Sequence, residues 1–205
     1  MLKTTRRALI LAAACSLALA GCSKSEKGAT AAVGDMTMGN ANAPVKMIEY
    51  ASATCPHCAR FNNDVFPEFK KKYIDTGKVH YTFREMLTEP KSVAAAAFLM
   101  ARCAGKDKYF PAVDAVFRNQ QEMFTTSDPR TVLLRIAQSM GMTEQSFEAC
   151  VSDEKAFKDL NERIEKTAGD INGTPAFVFN GKKVKEGEIS MAELDAAVAE
   201  ASKAR

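Results

Sequence analysis

Apolar and polar positions change period several times along the chain, and each change marks an element. Val45 to Ala51 is a short run containing Val, Ile and Tyr, the pattern of a buried strand. Thr54-Cys55-Pro56 follows at once. Thr54 is a capping residue type and Pro56 suits a first helical turn, so the sequence predicts a helix capped by Thr54. Phe61, Val65, Phe66 and Phe69 carry that helix to about Lys72, and Gly77 breaks the chain. From Lys78 to Met86, Val79, Tyr81 and Phe83 alternate with His80, Thr82 and Arg84, which predicts a second strand.

From Lys91 to about Ala168 the spacing is helical throughout. Val93 to Ala104 is rich in Ala, and Tyr109 to Gln121 carries Phe110, Val113, Val116 and Phe117 on one face. Asp128-Pro129 starts a helix that runs to Gly141, and Thr143 can cap a short one after it. Strand character returns at Pro175 to Phe179. Asn180-Gly181 is a hairpin signal, with Lys182 to Lys185 returning. Ser190 and Glu193 form a capping box for a last helix through about Ser202. A short strand near Met36 to Met38 precedes all of this. The order is an α/β layout with about 75 residues of helix set into its middle.

The N-terminus follows a different pattern. Lys3, Arg6 and Arg7 precede a 13-residue apolar run, Ala8 to Ala20, interrupted only by Ser16. That is the layout of an export signal. It is shorter than the roughly 20 apolar residues a spanning helix needs. The run ends Leu19-Ala20-Gly21-Cys22, which resembles the lipobox of bacterial lipoproteins, in which the Cys is lipidated and becomes the first mature residue. Residues 1–21 are therefore expected to be a lipoprotein signal peptide, and residues 22–35 a flexible tether of mainly small and polar residues. The chain is then expected on the periplasmic side of a bacterial membrane, held there by lipid.

Processing changes the charge. The 205-residue chain carries a formal net charge of +3, and removing the three cations of the signal leaves zero. A nucleic-acid partner, which needs a basic face, is not expected. Processing also simplifies the cysteines. Cys15 leaves with the signal and Cys22 goes to lipid. Cys55, Cys58, Cys103 and Cys150 remain, an even number that suggests two disulfides in an exported protein.

Chemistry concentrates at Cys55-Pro56-His57-Cys58. A Cys at a helix start gains from unpaired backbone N–H groups and the helix dipole, so its thiolate is favoured. Cys58 lies one turn on, close enough to form a disulfide with it and to resolve a mixed one. An imidazole at His57 beside Cys55 would stabilise the thiolate further. Structural zinc, the competing use of Cys-x-x-Cys, usually needs four Cys or His ligands, and no second Cys-x-x-Cys or His-x-His is present. No metal and no cofactor is expected beyond the Cys55–Cys58 disulfide itself. Cys103 and Cys150 fall on different predicted helices and read as a structural disulfide.

The segment Glu49-Tyr50-Ala51-Ser52-Ala53-Thr54-Cys55-Pro56-His57-Cys58 resembles the active-site segment of the DsbA family. Gly39 to Val45 is similar to that family's approach to its first long strand, and the helical insertion and late hairpin fall where the family has them. The resemblance implies a thioredoxin fold made of residues 36–90 and 169–205, with a helical domain of residues 91–168 inserted. It makes Thr174-Pro175 the cis-proline loop that holds substrate. It makes Glu49 the buried acid that serves Cys58.

The activity implied is oxidation of client proteins with free cysteines, with a DsbB-like membrane protein as the reoxidising partner and a monomer as the working form. Two alternatives stand beside it. One is an exported reductase or isomerase. The other is a copper-binding or chaperone module using Cys55, Cys58 and nearby Met.

Overall fold

The computed structural model describes residues 34–203. The signal, Cys22 and the tether up to residue 33 lie outside the described residues. Five strands form one sheet: β1 (Met36–Met38), β2 (Val45–Ala51), β3 (Val79–Glu85), β4 (Ala176–Phe179) and β5 (Lys182–Glu186). Their order is β1-β3-β2-β4-β5. β2 and β3 are parallel, with Val45 opposite Val79 and Ala51 opposite Glu85. β4 runs antiparallel to β2, with Tyr50 opposite Ala176. β2 is thus central, and its C-terminal end delivers the chain into the Cys-Pro-His-Cys motif.

Parallel neighbours require a crossover, and the predicted first helix supplies it. It consists of α1 (Pro56–Arg60), a π-helical turn at Phe61–Val65, α2 (Phe66–Phe69) and a second π turn at Lys70–Ile74. Pro67 has no N–H to give to the carbonyl four residues earlier. The widened turn just before it absorbs that loss.

Alternation divides β2 between two faces. Met47 and Ala51 join the main core with Cys58, Phe61, Phe69, Phe83 and Phe177. Ile48 and Tyr50 pack on the other side with Ile171, Ala176 and Val178. Glu49 lies on the Met47 side by the same alternation.

The middle of the chain folds as α3 (Lys91–Cys103), α4 (Lys106–Arg118), α5 (Gln120–Thr125), α6 (Pro129–Ser139), α7 (Glu144–Val151) and α8 (Glu154–Ala168). The single helix expected over Tyr109 to Gln121 is in fact divided. Asn119 leaves helical geometry, its side chain returns to the Ala115 carbonyl, and α5 restarts at Gln120. α3 is the hub, packed against α4, α6, α7 and α8. Its Ala94, Ala95, Ala97 and Ala101 are buried, and small side chains let several helices approach one axis. A disulfide joins Cys103 at its end to Cys150 in α7, with Cα atoms 6.4 Å apart.

Glu85, at the end of β3, ties this block to the sheet. Arg102 donates to both of its oxygens, at 2.6 and 2.7 Å, and the Tyr109 hydroxyl donates at 2.9 Å.

The hairpin turn has positive φ at both Asn180 (46°) and Gly181 (84°), the geometry that suits the twist of two antiparallel strands. α9 (Met191–Lys203) closes the fold. At its start Ser190 N donates to Glu193 Oε2 at 2.8 Å, and Glu193 N donates to Ser190 Oγ at 3.3 Å, a reciprocal capping box.

Candidate active site

β2 ends at Ala51, and a short loop places Cys55 at the N-cap of α1. The residue that caps this helix is Cys55, not Thr54 as the sequence suggested. Cys55 Sγ accepts from Cys58 N at 3.4 Å. Thr54 is occupied elsewhere: its hydroxyl donates to the Thr88 carbonyl at 2.9 Å and pairs with the Thr88 hydroxyl at 2.9 Å. Ser52 Oγ in turn accepts from Thr88 N at 3.0 Å. These hydroxyls brace the loop against the segment after β3 and leave the cap position to sulfur.

Cys55 and Cys58 are both free thiols, 5% and 0% exposed. Their environments push them apart. Cys55 is drawn down from 9.0 to about 5, chiefly by its hydrogen bond with the Cys58 thiol. The Thr174 side chain and the backbone N–H groups of Cys58 and His57 add to this, against the effect of burial. Cys58 is driven strongly upward, first by burial, then by the hydrogen bond with Cys55 and the negative charge there and at Glu49. One sulfur is therefore a thiolate at neutral pH and the other a protonated thiol.

Thr174-Pro175 is cis and lies against this pair, with the Cys55 thiol 3.3 Å from the Thr174 carbonyl oxygen. A second cis bond, Glu89-Pro90, had no sequence signal that set it apart from other X–Pro bonds. Glu49 is 2% exposed and accepts from the Tyr81 hydroxyl at 2.5 Å. Burial raises its carboxyl from 4.5 to about 8; Tyr81 opposes this and the Cys55 charge adds to it. A cavity of about 290 Å³ reaches Glu49 between Phe66, Tyr81 and Phe110.

The His57 ring is engaged with charged side chains at the surface. Its ring Nδ1 lies 2.8 Å from Glu188 Oε1 and 2.5 Å from Arg60 Nη2, on the half-exposed outer surface. Glu188, in the loop before α9, thus joins His57 and Arg60 in one polar cluster. What His57 gives to Cys55 is its backbone N–H.

One neighbour carries no motif at all. Gln120, 5% exposed at the start of α5, donates from Nε2 to the carbonyls of Ala53 at 2.9 Å and Cys55 at 3.1 Å. It sits among polar neighbours, Arg118-Asn119-Gln120-Gln121-Glu122, so nothing in the sequence marks it out. Glu188, far along the chain in a charged loop, is equally unmarked. Among the described residues no three His, Cys, Asp or Glu side chains come together as a metal site.

Comparison with known proteins agrees with this arrangement. The family model described as Thioredoxin matches residues 31–200. A Rickettsia bellii protein provisionally named a protein-disulfide oxidoreductase is 34% identical over 171 residues, covering 81% of this chain and 65% of that one. This chain thus spans slightly less than two thirds of that relative's length. Disulfide bond formation protein D of Bacillus subtilis is 26% identical over 161 residues, 74% of this chain and 70% of that protein.

Among solved structures, Wolbachia pipientis alpha-DsbA1 superposes with a TM-score of 0.77 at 28% identity, covering 87% of this chain and 96% of its own. Oxidised BdbD of Bacillus subtilis shares the fold, with a TM-score of 0.69 at 22% identity over 83% of this chain and 94% of that one. With a cysteine-capped helix at the end of the central strand, a cis-proline against it and a block of helices inserted after β3, the chain belongs to the thioredoxin family in its DsbA-like form.

Proposed function

We propose that this chain is an exported, lipid-anchored thiol–disulfide oxidoreductase that introduces disulfide bonds into client proteins through Cys55 and Cys58. The observation that carries the reading is the division of labour between the two sulfurs: a capped, low-pKa Cys55 beside Thr174-Pro175, and a buried, high-pKa Cys58. A stabilised Cys55 thiolate stabilises the reduced pair, which makes the disulfide a strong oxidant.

The steps balance as follows. A client thiolate attacks Cys55 Sγ of the oxidised pair; the S–S bond breaks and Cys58 leaves with the electron pair. Cys58 needs a proton, and Glu49, protonated at neutral pH by its burial, is placed in our reading to supply it. A second client thiolate attacks the client sulfur of the mixed disulfide. Cys55 departs as the stable thiolate, and the client keeps its new disulfide. The client has lost two electrons, which the Cys55–Cys58 dithiol now holds.

Reoxidation is assigned to a membrane protein of the DsbB-like kind, consistent with an anchor at Cys22. Residues 36–90 and 169–205 form the unit that carries the chemistry, and residues 91–168 the inserted unit packed onto it. Pro56 opens α1 behind the nucleophile, and Thr174-Pro175 aligns the client strand.

The first test is the reduction potential of the pair, from equilibration in graded glutathione buffers. A potential well above the glutathione couple is expected. A value near that of thioredoxin would replace the oxidase reading with a reductase. Cys55→Ser should abolish oxidation of a dithiol peptide, and retention of full activity would overturn the mechanism.

A further inference from the structure

We infer that Gln120 is a positioning residue through which the helical insertion sets the reactivity of Cys55. The inference rests on the exchange chemistry proposed above and adds a residue that the Cys-Pro-His-Cys motif does not contain.

Gln120 belongs to α5, about 65 residues after the motif in sequence, yet its side chain is buried against the active-site loop. Its amide nitrogen has two N–H groups, and both find carbonyls of that loop: Ala53 O at 2.9 Å and Cys55 O at 3.1 Å. Among the described residues no other side chain of the insertion hydrogen-bonds to residues 53–55.

Two effects follow from elementary electrostatics. The carbonyls of Ala53 and Cys55 carry partial negative charge in the loop that holds Sγ, which opposes a thiolate. The Gln120 N–H groups set partial positive charge against both oxygens without placing a full charge beside the sulfur. The same bonds hold the loop in the pose that lets Cys55 cap α1, since Cys55 O also accepts from Ala59 N at 3.1 Å. Removing the amide leaves one carbonyl wholly unpaired by side chains and the other with the helix bond alone. Buried acceptors in that state are costly, and the loop shifts to reach water.

The direction is fixed. Without Gln120 the thiolate is less favoured, the Cys55 pKa rises, the reduced pair loses stability and the disulfide becomes a weaker oxidant.

The test uses Gln120→Met, which keeps length and apolar volume and removes both donors, in the soluble chain beginning after Cys22. Cys55 is titrated by its ultraviolet thiolate absorbance, and the pair is equilibrated with glutathione. The expected result is a pKa rise of roughly 0.5–1 unit. The equilibrium constant should move by the matching factor of about three to ten toward the oxidised pair. Thermal unfolding of the oxidised form reports the fold.

If Gln120→Met is too unstable to measure, Gln120→Glu serves. It has the same size, and an ionised carboxylate donates nothing, so its shift should be in the same direction and its effect larger at high pH than at low. A folded variant with pKa and equilibrium constant unchanged overturns the inference. Failure of the parent protein to exchange thiols at all would instead overturn the proposed function.

Discussion

At residue scale the site depends on sulfur and carboxyl groups whose proton affinities the fold has moved. Cys55 stands at about 5 in the folded chain against 9.0 for an ordinary thiol. A group with a depressed folded pKa contributes stability that is complete above the unfolded pKa and is lost as pH falls through the folded one. For reduced protein the window therefore runs from about 9 down to about 5, and at pH 7 the contribution is about 3 kcal/mol. The oxidised form has no such thiolate. The stability of reduced relative to oxidised protein should grow steadily as pH rises from about 5 to about 9, which urea denaturation of the two forms would measure. A flat difference would mean the thiolate is not favoured.

Glu49 works in the opposite sense. Burial has raised its carboxyl to about 8, so its cost to the fold begins near 4.5 and is complete above 8. Glu49→Gln should then stabilise the protein by about 4 kcal/mol at pH 8 and have little effect at pH 4. It should also slow the release of Cys58 from mixed disulfides, read by quenched-flow trapping. Stabilisation without slowing would leave Glu49 a buried acid with no part in exchange.

At the scale of elements, the attachment of the insertion to the sheet depends on Glu85. Its side chain is 3% exposed and takes both oxygens to Arg102, with Tyr109 also donating and Arg163 3.8 Å away. Arg102→Met would leave the carboxylate buried beside a single, more distant cation. A loss of about 3 kcal/mol is expected in chemical denaturation. α9 offers a smaller case. Ser190→Ala removes half of the capping box with Glu193 and should cost about 1 kcal/mol. The Cys55 cap differs in kind from both, because there the capping atom is also the proposed nucleophile. Stability and chemistry are joined in one hydrogen bond to Cys58 N.

At the scale of the molecule, the Cys103–Cys150 bridge closes a loop with a sequence separation of 47. Chain entropy alone makes that closure worth about 4 kcal/mol. Replacing both residues with Ala should lower stability by about that much while thiol exchange at Cys55 and Cys58 persists. Loss of exchange in a variant that remains folded would give the bridge a redox role. The topology explains why the two cysteine pairs differ. One pair lies one helical turn apart at the mouth of the site, and the other joins two helices inside the insertion.

The sequence by itself determined the strands, the crossover helix, the hairpin and the capping box, because these depend on local patterns: alternation in Lys78 to Met86, the Asn180-Gly181 turn, Ser190 with Glu193. It brought Cys55 and Cys58 together as a close pair for the same reason, since they are separated by a single turn. It did not determine which atom caps α1, because Thr54 and Cys55 compete locally and only Thr88, brought in from the end of β3, decides the matter. It gave no sign of Glu188, 131 residues away, which pairs with the His57 ring. Gln120 was invisible for a related reason: an amide inside a helix has no meaning until packing shows which carbonyls it meets. Local pattern chooses elements and a nucleophile. The groups that tune the nucleophile arrive from distant parts of the chain, and only tertiary contact decides which they are.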